Sequence, residues 1–233
     1  MEPNVRIGMG KFYLRCFGLL LLLASCGETE EAALDPGLDY QPLGIGKFWE
    51  YEVEETMYFG ESDVETDTFY YKDQIASDYI NAVGEQVFLF VREKSFDRQS
   101  WQPESNYTYR ISEGALVKNS ENQNKVALVF PPLEGKEWDA NIFISDQEDT
   151  YQLELLQDYK LGSLAFSPAV KVLQHAEDDL ITLRDNRYEI FAKEVGLVES
   201  YYEVLTYCSR NDCLGQQIVD SGRSTHLKLI DNG

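Results

Sequence analysis

Trp49-Glu50-Tyr51-Glu52-Val53-Glu54 alternates an aromatic or β-branched residue with a glutamate at every step. A period of two sends Trp49, Tyr51 and Val53 to one side of a pleated ribbon and three carboxylates to the other. That is the pattern of an antiparallel strand with one buried and one wet face. Downstream the same kind of text recurs, punctuated by Gly, Pro, Asn and Asp roughly every ten residues, as hairpin-connected strands require. Strands are expected over 66–72, 86–92, 106–111, 125–130, 138–145, 151–157, 169–175, 179–184, 188–193, 197–207 and 225–230. One short helix is expected over 73–81, and no other segment carries three amphipathic turns. The fold class is all-β or β-dominated, an antiparallel sheet forming a half-barrel or a sandwich.

Upstream of the strand, Pro42-Leu43-Gly44-Ile45-Gly46-Lys47-Phe48-Trp49 is echoed by Pro132-Leu133-Glu134-Gly135-Lys136-Glu137-Trp138, one residue shorter. In both, Pro-Leu enters a turn, Gly permits a positive φ, and Trp begins a strand with its ring inward. The echo is read as one local solution used twice, in preference to two similar sheet halves.

The amino terminus has the three parts of an export signal. Arg6, Lys11 and Arg15 give a positive start, Phe17 to Leu23 an apolar run, and Ala24-Ser25 small residues before Cys26. The run is shorter than the roughly 20 apolar residues a spanning helix needs. Leu23-Ala24-Ser25-Cys26 resembles the lipobox of bacterial lipoproteins, so residues 1–25 are expected to be a lipoprotein signal peptide and Cys26 the acylated first residue. The alternative is an ordinary signal with a stray cysteine. Acyl chains contribute about 0.8 kcal/mol per buried CH₂, so a multiply acylated Cys26 makes the membrane a lasting partner. Residues 26–39 are small, acidic and broken by Pro36-Gly37, as a tether is, and 40–233 form a single antiparallel β domain.

Charge narrows the partners. Removing 1–25 takes away three cations and one anion, so the net charge of −21 becomes −23. That field repels nucleic acid and anionic headgroups. Cys208 and Cys213 flank Ser209-Arg210-Asn211-Asp212, a turn-forming tetrapeptide. If it is a hairpin loop, the two cysteines face each other across the strands within disulfide range, and the small loop closed contributes about 2 kcal/mol. A catalytic or metal-binding dithiol more often has two intervening residues.

Three segments together resemble a family of Bacteroidetes outer-envelope lipoproteins: Tyr40-Gln41-Pro42-Leu43-Gly44-Ile45-Gly46-Lys47-Phe48-Trp49-Glu50-Tyr51, then Phe130-Pro131-Pro132-Leu133-Glu134-Gly135-Lys136-Glu137-Trp138, then Phe191-Ala192-Lys193-Glu194-Val195-Gly196-Leu197-Val198. The first matches its PLxxGxxW pattern, the second is one residue short of it, and the third carries VGLV, with Phe191 where Tyr is common and Glu194 where Gly is common. The resemblance implies an antiparallel β fold comparable to the half-barrels of lipoprotein carriers, and no activity. Gly27 after the cysteine resembles a signal for release to the outer membrane. Glu28, Glu30 and Glu31 resemble a surface-export tract.

Candidate chemistry is sparse. Glu61, Asp63, Glu65 and Asp67 alternate and would face one way on a strand. Calcium accepts such carboxylates, but the row lacks the wrapping turn of a calcium loop and reads better as a solvated, edge-protecting face. Only His175 and His226 exist, with no HExxH spacing and no Gly-x-Ser-x-Gly elbow, so neither a metal nor a catalytic residue is assigned. No cofactor is implied, and Gly44-Ile45-Gly46 leads into a strand rather than a dinucleotide-binding helix. Fifteen Tyr, twelve Phe and three Trp are the more informative feature. Tyr70-Tyr71, Tyr107-Thr108-Tyr109 and Tyr201-Tyr202 would place rings on both strand faces, where a glycan or hydrophobic ligand could stack, or simply fill a core. The leading reading is a non-enzymatic, lipid-anchored envelope protein presenting a β domain for binding or structure. Its alternatives are a carrier holding an apolar molecule in an open barrel and, less favoured, a hydrolase built on one histidine.

Overall fold

The computed structural model describes residues 35–143 and 147–233, so the signal 1–25, the thiol of Cys26 and the first part of the tether lie outside the described residues. Fourteen strands follow in chain order: β1 (Phe48–Gly60), β2 (Asp63–Ile80), β3 (Gln86–Ser95), β4 (Gln102–Ser112), β5 (Ala115–Ser120), β6 (Gln123–Val129), β7 (Glu137–Asp139), β8 (Thr150–Leu156), β9 (Tyr159–Leu161), β10 (Leu164–Phe166), β11 (Ala169–Asp178), β12 (Leu183–Ala192), β13 (Gly196–Tyr207) and β14 (Val219–Asn232). Twelve of them form one antiparallel sheet in the order β6-β5-β4-β3-β2-β1-β14-β13-β12-β11-β8-β7, and β9 with β10 make a separate hairpin. β1 therefore sits mid-sheet, paired on one side with β2 and on the other with β14 from the far end of the chain.

The sheet curls until its edges meet. The Val126 amide on β6 donates to the Ala140 carbonyl just past β7 at 3.0 Å. The Trp138 indole N–H returns a bond to the Val126 carbonyl at 2.9 Å. A nearly closed barrel results, with few unpaired edge groups left to recruit other chains. The residues that β1 was expected to bury line the inside: Trp49, Tyr51 and Val53 join Phe69 of β2, Phe90 of β3, Tyr107 of β4 and Phe191 of β12 in one core cluster. Each such side chain contributes about 1.5–3 kcal/mol by leaving water.

Four expectations need correction. Residues 73–81 are not a helix; apart from Asn81 they continue β2, a strand of 18 residues. Asp73 and Ile75 point inward with Phe69, and Asp73 stands opposite Arg92 of β3, which supplies the buried carboxylate with its countercharge. Strand pairing over this length outweighs a local preference. Of the expected 138–145 strand, 138 and 139 lie in β7, 140–143 form a turn and 144–145 lie outside the described residues; 179–182 also form a turn, so β12 begins at Leu183. There Asp179 accepts bonds from the amides of Ile181, Thr182 and Leu183, which fold the chain back.

The fourth concerns the cysteines. Cys208 and Cys213 are disulfide-bonded with Cα atoms 5.8 Å apart. They are not opposed across a hairpin, because Tyr207 pairs with Val219 instead. The bridge closes a turn inside the long β13–β14 connection. Strand β5 and the β9–β10 hairpin were not foreseen.

The compact body begins at Pro36 rather than at Tyr40. Gly37 has a φ of +71°, and Leu38–Tyr40 form a 3-10 turn that buries Tyr40. The Asp39 carbonyl accepts the Glu194 amide at 2.8 Å, so the last residues of the expected tether are already docked.

Candidate functional site

The lumen has two unlike ends. At one, the three segments that carried the family resemblance converge. Trp49 donates its indole N–H to the Val195 carbonyl at 2.6 Å, and Tyr51 its hydroxyl to the Leu197 carbonyl at 3.1 Å. Gly196 lies between these acceptors, and a Cβ there would meet Gln41 and the Trp49 indole nitrogen at 3.1 Å. Behind this latch Trp49 packs on Phe90 at 5.7 Å, and Phe90 stacks on Tyr107 at 4.9 Å and meets the edge of Tyr109 at 5.2 Å. Trp138 stands on the seam. These rings fill their end of the barrel.

Beside the β5–β6 turn the wall changes character. Period-2 alternation brings Lys118 and Ser120 of β5, Lys125 and Ala127 of β6, and Arg187 and Glu189 of β12 around a cavity of about 290 Å³. Tyr151, Tyr202 and Gln174 border it too, and Glu121 of the β5–β6 turn and Gln123 at the start of β6 complete it. Lys118 and Lys125 are directly opposed across β5 and β6, a like-charge pairing that costs stability unless something compensates it. Beneath, Arg92 grips Asp73 with two bonds of 2.6 Å, and the Tyr107 hydroxyl adds a third at 2.8 Å.

Not every charge in the lumen is so well served. Lys125 has Asp149 at 3.4 Å. Arg187 has Asp185 at 2.6 Å and Asp149 at 3.7 Å. Lys118 instead lies over the faces of Tyr107 and Tyr109, at 4.7 and 5.8 Å. Neither Lys118 nor Glu189 has an ion-pair partner within 4.0 Å among the described residues. Loss of hydration lowers the pKa of the Lys118 ammonium despite attraction to Glu189. It raises that of the Glu189 carboxyl despite Lys118, Arg92 and Lys125. Both shifts mean that the charged forms are held at a cost.

The residues singled out in the sequence fall elsewhere. Glu61, Asp63, Glu65 and Asp67 are all exposed around the β1–β2 turn, and among the described residues no group of three His, Cys, Asp or Glu side chains is placed to hold a metal. His226 bonds Glu199 at 2.7 Å, Tyr188 bonds the same carboxylate oxygen at 2.8 Å, and the ring of Tyr201 lies edge-on to His226 at 5.4 Å. His175 bonds Glu177 at 3.1 Å on exposed strand. Neither histidine borders the cavity that Lys118 and Glu189 line. Tyr107 and Tyr109 share one face and are buried, a correction to the expectation of rings on both sides. Tyr201 and Tyr202 do diverge: Tyr201 stacks on Tyr188 at 5.6 Å, and Tyr202 borders the lumen. Sequence reasoning missed Lys118, Lys125, Arg187 and Glu189 altogether. Their one signal is inward parity, legible only once register is known.

Comparison with protein-family models returns no match, and neither does comparison with curated proteins. Solved structures do align. A protein inferred to be exported, of YmcC-like fold, from Bacteroides fragilis NCTC 9343 aligns at 10% identity and a TM-score of 0.42, over 83% of this chain and 98% of its own. A protein inferred to be a lipoprotein, from Parabacteroides distasonis ATCC 8503, aligns at 10% identity and a TM-score of 0.37, over 82% and 98%. A domain inferred to belong to an outer-membrane lipoprotein-sorting protein, from Vibrio parahaemolyticus, aligns at 13% identity and a TM-score of 0.21, over 83% and 87%.

A testable consequence concerns Glu189. An acid whose folded pKa lies above its unfolded value binds more protons when folded, so its charge subtracts stability at neutral pH. Glu189→Gln is expected to raise the urea midpoint at pH 7. That advantage should shrink as pH falls through the raised pKa and be absent below about pH 4, where an unfolded glutamate is itself protonated. Urea melts at several pH values check it.

Proposed function

We propose that this chain is a lipid-anchored protein of the cell envelope whose barrel binds a small polar molecule in the open end of its lumen. The export signal and the Leu23-Ala24-Ser25-Cys26 motif support the location, and Gly27 favours the outer membrane within it. The observation that carries the binding reading is the pair Lys118 and Glu189, both held as costly charges on the wall of one cavity. Perturbed charges cluster where a guest is met. At about 290 Å³ the cavity stands near the lower bound of small-molecule clefts, which start at roughly 300 Å³.

The carrier of an apolar molecule is the reading this geometry favours less. Such a cargo would occupy the apolar half of the barrel, where Trp49, Phe90, Tyr107 and Tyr109 already pack against one another. The space that remains is bordered by ammonium, guanidinium, carboxylate and phenol groups, which an acyl chain would desolvate without return. The proposal is one of binding, without catalysis.

Two measurements test it. Cys26→Ser is expected to abolish incorporation of a clickable fatty acid and leave an unprocessed or soluble product; undiminished label in the variant would refute the anchor. For the lumen, thermal melts against small polar metabolites should find at least one that raises Tm by about 5 °C or more at 100-fold excess over its Kd. Ala127→Met, which fills the cavity, should cancel that shift. Shifts from long-chain fatty acids alone would favour the carrier instead.

A further inference from the structure

We infer that the lumen recognises a small zwitterion of free amino-acid type, its carboxylate bound by Lys118 and its ammonium by Glu189. This deepens the polar-ligand reading above and rests on it.

The other cations of the lumen are matched within the wall: Arg92 by Asp73, Arg187 by Asp185, and the more exposed Lys125 by Asp149. Glu121, also in the cavity lining, is exposed on the β5–β6 turn and hydrated; on the wall itself one cation and one anion are left over, Lys118 and Glu189. Lys118 belongs to β5 and Glu189 to β12, so a guest between them can touch both. The rings of Tyr107 and Tyr109 steer the Lys118 ammonium without neutralising it, since a ring face attracts a cation but supplies no countercharge.

Each class of guest then meets a different balance. A neutral guest leaves both charges unpaired. A simple anion satisfies Lys118 but adds repulsion at Glu189, and a simple cation does the reverse. A zwitterion pairs both and leaves the total charge of the lumen unchanged, so no uncompensated charge is buried. Rejection of singly charged analogues follows from the same arithmetic, because each strands one wall charge. Desolvation of Lys118 and Glu189 by the surrounding wall agrees with this, as the guest would give each a close partner. The Tyr202 hydroxyl and the Gln174 amide remain for the guest's own polar group. The chain's acidic excess, 41 acidic against 20 basic residues, would not draw in an anion but is indifferent to a molecule of zero net charge.

The test is isothermal titration of the detergent-purified full chain with glycine, L-alanine, L-serine and L-glutamine. Their N-acetyl and methyl-ester derivatives, D-glucose and succinate are titrated beside them. At least one amino acid is expected to bind, with both of its derivatives about tenfold weaker or more, since each loses a charged hydrogen bond. Lys118→Met and Glu189→Gln should each weaken that amino acid by a similar factor. Circular dichroism and urea melts establish that the variants fold, and the second is expected to be more stable than the parent. Derivatives binding within threefold of the amino acid would overturn the inference. So would binding of glucose or succinate alone, which would still leave a polar-ligand lumen. Silence from every probe would contradict both readings.

Discussion

Two hydrogen bonds from neighbouring aromatic residues of β1 set the shape of this barrel. The Trp49 indole and the Tyr51 hydroxyl reach past β14 to the Val195 and Leu197 carbonyls at the start of β13. Side chains on one strand can bond the backbone two strands away only if the sheet between them is sharply curved. Gly196 makes the approach possible, since its φ of +104° and missing side chain leave room for the indole and for Gln41. Once the middle of the sheet is bent, the distant edges β6 and β7 are brought together, and Val126 closes the seam with both of its backbone groups.

Closure divides the interior. The latch draws Trp49 against Phe90 and, behind it, Tyr107 and Tyr109, so the apolar residues of the lumen consume one another's surface. What remains at the other end is what those rings do not cover, a small space with charged walls. Stability is concentrated in the filled end, and the open end spends part of it on Lys118 and Glu189.

Much of the scaffold was legible and little of the pocket was. The alternation from Trp49 to Val53 gave the inward face of β1 because the two faces differ in chemistry as well as parity. The three segments that resembled a lipoprotein family proved to be latch and seam, so their Trp, Tyr and Gly residues serve the fold. Residues 73–81 were misread because what holds Asp73 in a strand is its partner Arg92, 19 positions away. Cysteine pairing was read correctly but its setting was not, since the tetrapeptide between the cysteines gives no hint that β14 begins only at Val219. The lumen charges were invisible for a deeper reason. In Tyr188-Glu189-Ile190-Phe191 a glutamate between apolar residues is the signature of a wet face, and a barrel with a polar interior writes the same text on its inside.

Closure is the premise on which latch, seam and lumen all depend, and native-state hydrogen exchange at the Val126 amide examines it at one atom. If the edges are joined, that amide exchanges as slowly as amides of the central β1–β14 pair, on the timescale of global unfolding. Exchange at the rate of a frayed edge strand, with β1–β14 still protected, would mean that the sheet stands open and that the cavity described here is not enclosed.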